Sequence, residues 1–477
     1  MGDVSRLLTQ TQAPGSACHP LERLELLCDE GSFEAIRSAV TSPRPGAPSS
    51  AGDGVVAGLG QVAGRTIACY AQDARFVGGS LGVAQAETIH RLLKLAERAR
   101  LPIVSWIESG GARMQEGTAA LCGYAQIFRQ NVALSGVLPQ ISVVAGVAAG
   151  GGSYSPALTD FVVMTEDAAM FVTGPAVVED VTGESIDGRE LGGRRVHERN
   201  GVCDLVAPDE AAATAFVRDL LDYLPQHAGG ALPWMAGVPP EDDDPGAHVP
   251  DSGRRVYDVR AVGRAVFDSG SFLELAPRWA RNIVIGLARL DGRPVGVIAN
   301  QPRHLGGVLD CESSQKAARF VTTCSAFGLP LVVLVDTPGF LPGTRQEETG
   351  VIRHGASLVR AFAAATVPRV TVVLRKAYGG AFIAMNSKDL GADLVFAWPG
   401  AEIGVMGAQA ATRIIHRREL ASTGDSGARR DALSAAYARE HLGADRAAEG
   451  GFVDEVIAPR QTRARLAGAL AAFDDGG

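Results

Sequence analysis

An α/β protein made of one domain repeated in tandem is what this sequence predicts. Three observations carry the prediction. An ordered set of short segments occurs twice, β-branched runs alternate with amphipathic helices in each copy, and a Pro- and Gly-rich stretch lies between the copies.

The repeat comes first. Asp29-Glu-Gly-Ser-Phe33 is echoed by Asp268-Ser-Gly-Ser-Phe272, and Gly58-Leu59 with Gly64-Arg65 by Gly286-Leu287 with Gly292-Arg293. Gly78-Gly79 returns as Gly306-Gly307, Leu101-Pro102 as Leu329-Pro330, Pro139 as Pro368, Gly150-Gly151 as Gly379-Gly380, and Asp160 as Asp393. The offset stays at roughly 228–239 residues, which marks a duplicated domain rather than a short-period solenoid. The organisation expected is a first domain over 1–230, a linker over 231–252 containing Pro239-Pro-Glu-Asp-Asp-Asp-Pro245, and a second domain over 253–477. Thr41–Asp53, also rich in Pro, Gly and Ser, reads as a loop inside the first domain.

Within the first copy, Ile103–Ile107, Ile141–Val147, Phe161–Met164 and Met170–Val172 are expected as strands, and Ala84–Arg98 as a helix. Leu331–Val335, Val370–Leu374, Leu394–Ala397 and Ile403–Val405 take the same places in the second copy, with Gln315–Ala326 as its helix.

Composition narrows the function. The net charge of −8 argues against general nucleic-acid binding, which needs a basic face, but leaves room for a phosphate-bearing ligand held by a few arginines. The longest apolar runs, Leu331–Val335 and Ile141–Ala149, are far shorter than a membrane span, and no basic-headed apolar leader opens the chain. A cytoplasmic protein is expected. Cys18, Cys28, Cys69, Cys122, Cys203, Cys311 and Cys324 form no C-x-x-C pair and have no His at ligand spacing, so they read as free, buried thiols and no metal site is expected.

Glycine density marks the chemistry. Ser142–Ala149 runs into Gly150-Gly-Gly152, and Thr371–Tyr378 into Gly379-Gly-Ala381, each before a helix. At such a junction the first helical N–H groups lack intrahelical partners, and two of them aimed at one oxygen make an oxyanion hole. A second cluster follows each Leu-Pro strand, as Glu108-Ser-Gly-Gly-Ala-Arg113 and Asp336-Thr-Pro-Gly-Phe340. Arg113 has the chemistry for a phosphate or a neighbouring carboxylate, and the latter is the commoner use. No G-x-x-x-x-G-K-[ST] occurs, which excludes a P-loop.

Further motifs fall in order along the chain: Gly78-Gly-Ser-Leu-Gly82, Gln115-Glu-Gly117, Tyr154-Ser-Pro-Ala-Leu-Thr-Asp160, Lys316-Ala-Ala-Arg-Phe320, Thr337-Pro-Gly-Phe-Leu-Pro-Gly343 and Arg375-Lys-Ala-Tyr-Gly-Gly-Ala381. Ala397-Trp-Pro399, Val405-Met-Gly-Ala408 and Phe452-Val-Asp-Glu-Val-Ile457 complete the series. From about Leu21 to Phe473 the chain resembles the carboxyltransferase (β) subunits of biotin-dependent acyl-CoA carboxylases of the acetyl-/propionyl-CoA type, in the crotonase-like superfamily.

The resemblance implies two crotonase-like β-β-α spiral domains. It implies a homo-hexamer of stacked trimeric rings with active sites between subunits, and a separate α subunit bearing biotin carboxylase and the biotin carboxyl carrier. Neither Met114 nor Met385 is flanked like a biotin-attachment lysine, so this chain is expected to carry no biotin itself. The substrates implied are an acyl-CoA thioester and carboxybiotin on the carrier, and the process served is fatty-acid, polyketide-precursor or propionate metabolism.

By position in the motifs, the N–H groups of Gly150 and Gly151 hold the thioester enolate, and those of Gly380 and Ala381 the biotin ureido oxygen. Gly110, Gly111, Arg113, Tyr154, Lys316, Gly339, Tyr378 and Gly379 are expected to line the substrate and cofactor sites. No catalytic Asp, His or Ser is required, and His304, His354 and His416 read as structural or solvated. Glu108 stands where the family usually has Asp. Ile383 stands where propionyl-CoA-type members carry Asp, and the apolar residue resembles members that take acetyl-CoA, alone or with propionyl-CoA.

Two rival readings remain at this stage. One is the carboxyltransferase subunit of a sodium-pumping decarboxylase. The other is a crotonase-like serine hydrolase with Ser153 or Ser155 as nucleophile.

Overall fold

The computed structural model describes residues 18–44, 46–422 and 426–473. The chain divides into two compact units, Met1–Ala231 and Leu232–Gly477, each built on an eight-stranded sheet.

In the first unit β1 (Glu34–Ile36), β2 (Val55–Val62) and β3 (Arg65–Gln72) pair antiparallel. From β3 the sheet continues in parallel through β4 (Ile103–Ser109), β5 (Gln140–Ala149), β6 (Phe161–Thr165) and β8 (Leu205–Ala207). The short β7 (Ala169–Phe171) pairs with the end of β5. The second unit repeats this with β9 (Leu273–Leu275), β10 (Ile283–Leu290), β11 (Arg293–Asn300), β12 (Leu331–Thr337), β13 (Arg369–Tyr378), β14 (Leu394–Ala397) and β16 (Glu455–Val456), while β15 (Glu402–Gly404) pairs with β13.

Parallel neighbours need helical crossovers, and the helices Val83–Ala99 and Cys311–Ala326 supply them. They cover the sheet, so β4 and β12 are buried along their whole length, which is why both read as unbroken apolar runs. The predicted strands and both predicted helices are present, with Met170–Val172 and Ile403–Val405 each shifted by one residue. The antiparallel hairpins β2–β3 and β10–β11 are among the elements that periodicity did not find.

Three pairs of aspartates brace the sheets in equivalent places. Asp160 Oδ2 accepts the Gln140 N–H at 2.8 Å, and Asp393 Oδ2 the Arg369 N–H at 2.7 Å, each at the start of a central strand. Asp204 and Asp454 accept the N–H groups of Val162 and Val395 at 2.9 and 2.8 Å. Asp29 takes Ala63 and Gly64 at the first hairpin turn, and Asp268 takes Asp291 and Gly292 at the second. These turn and strand-end donors have no ladder partner, so a carboxylate satisfies each.

The segment expected as a linker lies against the second unit. Met235 donates to the Gly292 carbonyl at 3.2 Å, Val238 to Asp268 at 3.2 Å and Glu241 to the Arg264 carbonyl at 3.2 Å, while Arg289 reaches the Pro233 carbonyl at 2.8 Å. Its prolines restrict the chain to extended paths over a surface, and composition alone does not separate that from a free linker. The described residues of the segment 41–53 lie outside strands and α-helices and close in a 3-10 turn at Ala51–Gly54. All seven cysteines are free thiols, but Cys122 is exposed and Cys18 is partly so, contrary to the expectation that all are buried. Among the described residues no helix is long and apolar enough to cross a membrane.

Candidate active-site turns

Each central strand ends in a sharp turn that opens a short helix. In the first unit β5 passes through Gly150, at φ 55°, into the helix Gly151–Ala157. In the second β13 passes through Gly379, at φ 58°, into the helix Gly379–Ala384. A positive φ at both positions is the reason for glycine there.

The register of the first donor pair differs from the sequence expectation. The Gly150 N–H donates to the Phe171 carbonyl at 3.0 Å, continuing the β5–β7 ladder, and so is spent. The N–H groups left without intrahelical partners are those of Gly151 and Gly152, because the Ser153 N–H and hydroxyl both turn back to the Gly150 carbonyl at 3.1 and 2.7 Å. The strand offset that maps Gln140 onto Arg369 also maps Gly151 and Gly152 onto Gly380 and Ala381, so the structure brings the two pairs into correspondence. That offset was the signal for Gly152.

Gly110 and Gly111 lie beside the first turn. Gly110 donates to the Gly78 carbonyl at 2.9 Å, and the Gly150 Cβ position is 4.0 Å from Gly111 Cα. Tyr154, one turn into the helix, is half exposed with its ring edge-on to Phe128 at 6.0 Å. In the second unit Gly380 faces the Phe340 ring, Ala381 is buried and Ile383 is 49% exposed. Gly339, at φ 134°, has open space around it. The Tyr378 hydroxyl is bonded to the Glu402 carboxylate, tying β13 to β15; burial and Glu402 push its phenol far up, which keeps it neutral.

Two residues expected at ligand sites are committed elsewhere. Arg113 is fully buried and, in the commoner of its two expected uses, pairs with carboxylates, Asp53 at 2.7 Å and Glu116 at 2.9 Å, while its Nη2 reaches the carbonyls of Asp53 and Ser80. Lys316 is also buried, its ammonium on the carbonyls of Ala276, Trp279 and Ile283 at 2.8–2.9 Å. Both cations therefore fasten loops instead of meeting a ligand, since a desolvated charge is stable only where carboxylates or carbonyls meet it.

Carboxylates lie under both turns. Glu108 is buried beside Arg23 from the helix Pro20–Leu27, and burial raises its pKa against the pull of that guanidinium. Asp336 is buried 3.0 Å from Arg375 on β13, and it too is raised by burial and opposed by Arg375. Lys376, next along, has its amine lowered by burial and donates to the Gly253 carbonyl. No hydrogen bond joins Ser153 or Ser155 to a histidine among the described residues, and Ser153 is spent on Gly150, so the hydrolase reading has no triad.

Comparisons with known proteins follow this geometry. Residues 13–475 match the family described as "Carboxyl transferase domain". The propionyl-CoA carboxylase beta chain of Saccharopolyspora erythraea is 46% identical, covering 95% of this chain and 87% of that one. The biotin-dependent acetyl-/propionyl-coenzyme A carboxylase beta5 subunit of Mycobacterium tuberculosis is 44% identical over 94% of this chain and 85% of its own length. Among solved structures, transcarboxylase 12S, crystallised with methylmalonyl-coenzyme A and methylmalonic acid and described as a hexamer assembly, aligns at TM-score 0.92 with 42% identity, covering 99% of this chain and 91% of that one. A single-chain, multi-domain long-chain acyl-CoA carboxylase aligns at TM-score 0.83 with 33% identity, over 94% of this chain and 45% of that one.

Proposed function

The chain belongs to the carboxyl transferase family and is an enzyme of that family, and from that premise we propose that it moves a carboxyl group from carboxybiotin to acetyl-CoA or propionyl-CoA, giving malonyl-CoA or methylmalonyl-CoA. The observation that carries the proposal is the pair of equivalent turns, each opening a helix with two adjacent N–H groups free to meet an oxygen. Two oxyanions develop in such a transfer, one on the thioester and one on the ureido ring, and two holes answer them.

Carboxybiotin, brought on a separate carrier, supplies the carboxyl group when bound. The second turn fits a ureido oxygen, because Gly380 and Ala381 place no side chain beyond a methyl at their donors, and it is the turn assigned to biotin. The first turn, through Gly151 and Gly152, is assigned to the thioester oxygen. It would hold negative charge there once the α-proton passes to the ureido nitrogen from which the carboxyl group departs, so that the α-carbon can bond to that carboxyl carbon. Neither turn supplies an acid or base; the donors act on charge as it forms.

Ile383 sets the acyl preference in this reading, as an apolar side chain one helical turn beyond the second donor pair that favours acetyl-CoA, with propionyl-CoA also accepted. The enzyme works in the cytoplasm with an α subunit carrying biotin carboxylase and the carrier, and as a hexamer; the relatives' names as beta chains support the α partner, and the hexameric transcarboxylase supports the assembly.

The test is reconstitution with a biotinylated α subunit, ATP, bicarbonate and either acyl-CoA. ATP- and α-dependent formation of malonyl- or methylmalonyl-CoA is expected. No product with either substrate across several α partners would overturn the reading in favour of a decarboxylase or a longer acyl chain.

A further inference from the structure

The first turn rests on a tighter floor than the second. Tyr124, from the helix Thr118–Leu134, lies with its ring directly behind Gly151: a Cβ on that residue would sit 2.7 Å from two ring carbons. Ser109, at the end of β4, lies behind Gly152, where a Cβ would be 2.8 Å from the serine Cβ. A shift of register between Ile107 and Ser109 sets that serine against Ala148, two residues before the turn. The two hydroxyls bond each other at 2.9 Å, and Ser109 Oγ also accepts the Gly111 N–H at 3.3 Å. Both side chains are buried, so solvent does not compete for these bonds.

Behind the second turn stands the ring of Phe340, at ordinary contact distance of 3.7–3.8 Å from the Gly380 Cβ position and without a hydroxyl. The first floor is thus tighter and pinned at its polar end.

We propose that Tyr124 and Ser109 are positioning residues for the first donor pair. The Tyr124 ring fixes the plane of the Gly151 peptide, and the hydroxyl pair locks the strand end and the Gly110–Gly111 loop against it. Neither residue needs to touch substrate. Their effect is on where the Gly151 and Gly152 N–H groups point, and misplacement of a hole by about 1 Å costs on the order of 100-fold in rate. This inference rests on the assignment of the first turn to the thioester oxygen.

The experiment uses the full chain reconstituted with its biotinylated partner. Tyr124→Leu is expected to lower kcat for acyl-CoA carboxylation on the order of 100-fold, with KM for the acyl-CoA changed less than about 3-fold. ATP-dependent discharge of carboxybiotin without acyl-CoA, which uses the second turn, should stay at the wild-type rate. Tyr124→Phe keeps the ring and should rescue most of the loss, leaving kcat about 3- to 10-fold below wild type; Ser109→Ala, which also frees the Gly111 N–H, should lose at least as much. The double variant should be no worse than Ser109→Ala, because Tyr124→Phe removes only a bond already lost there.

A folded Tyr124→Leu with near-normal kcat, or with its loss in KM alone, would overturn the proposal. If Tyr124→Leu does not fold, the two hydroxyl variants decide: wild-type kcat in both would overturn it, and a loss in both that does not add in the double variant would support it. Failure of the wild-type chain to transfer carboxyl to any acyl-CoA would count against the function itself and not against the floor.

Discussion

The two copies keep the same frame and differ underneath their turns. Asp29 and Asp268, Asp160 and Asp393, and Asp204 and Asp454 accept equivalent backbone donors at nearly equal lengths. Beneath the turns almost every side chain has changed. In the first unit Glu108 reaches over Gly146, whose missing side chain it fills, since a Cβ there would meet the Glu108 carboxylate at 2.1 Å. Its cation, Arg23, comes from a distant helix. In the second unit the shorter Asp336 leaves space that Arg375 occupies, on the strand position equivalent to Gly146. Length lost from the acid is made up by the base. Tyr124 and Phe340 behind the turns, and Tyr154 and Ile383 on the helices, diverge likewise. The two copies hold their backbone donors by the same carboxylates, which leaves the packing around each hole free to suit a different anion.

The largest expected effect comes from breaking the second arrangement. Arg375→Ala leaves Asp336 as a buried acid without its cation, and should cost about 3–5 kcal/mol of stability in denaturant unfolding. The carboxyl is already raised above the usual carboxylate value by burial, and removing Arg375 raises it further. A group raised in the folded state favours folding below its unfolded pKa of about 3.9 and loses that contribution as pH rises through the folded value. The deficit should therefore be greatest at neutral pH and shrink on acidification. A deficit independent of pH would mean that Arg375 acts through its bonds to the Ser252 and Arg255 carbonyls instead.

Next in size is removal of one donor from each hole. Proline is tolerated in the first helical turn and the Gly380 Cβ position is in ordinary contact with Phe340, so Gly380→Pro should fold while losing about 100- to 1,000-fold in transfer. Gly151→Pro should lose at least as much, because its new Cβ also presses on the Tyr124 ring. The two should differ in what survives. Gly151→Pro keeps ATP-dependent discharge of carboxybiotin without acyl-CoA, and Gly380→Pro loses it. Equal behaviour of both variants in that half-reaction would end the assignment of one hole to each substrate.

Much of this was legible in the sequence. The duplication, the central strands and both turns follow from repeated glycines and β-branched runs, because those patterns are dictated by burial and by positive φ. The hairpins were not read, although Asp291-Gly292 is a strong two-residue turn signal; β10 and β11 are buried on both faces and show no alternation for a period-2 search to find. Gly150 was taken as a donor because sequence does not show that Phe171 returns to claim its N–H. Arg113 and Lys316 lie in motifs that look ligand-facing, yet motif position says nothing of burial, and it is burial that commits their charges to carboxylates and carbonyls. Tyr124 carries no pattern and Ser109 only its place in the Glu108–Arg113 glycine cluster, since the meaning of both comes from a contact between separate elements.

A smaller effect is expected on substrate choice. Ile383→Asp should shift the ratio of kcat/KM from acetyl- toward propionyl-CoA by about 1–3 kcal/mol. An unchanged ratio would remove this side chain from selectivity and leave Tyr154, its counterpart on the first helix, as the next position to vary.

The smallest effect tests whether the shared frame is shared in energy as well as geometry. Asp29 is held below the ordinary carboxylate value chiefly by the Gly64 N–H, with Arg218 adding to it. Asp268 is also lowered: burial pushes it up, but Arg463 and the N–H groups of Gly292, Val238 and Asp291 outweigh that. A depressed folded pKa gives stability that is present above about pH 3.9 and is lost as pH falls through the folded value. Asp268, with 2% of its side chain exposed, should contribute about 2 kcal/mol at neutral pH, and Asp29, at 31%, less because water screens it. Asp268→Asn should lower the neutral-pH stability of the chain and flatten its acid limb, with Asp29→Asn doing the same more weakly. Equal losses would show that the backbone bonds, which the two turns share, matter more than the burial that distinguishes them.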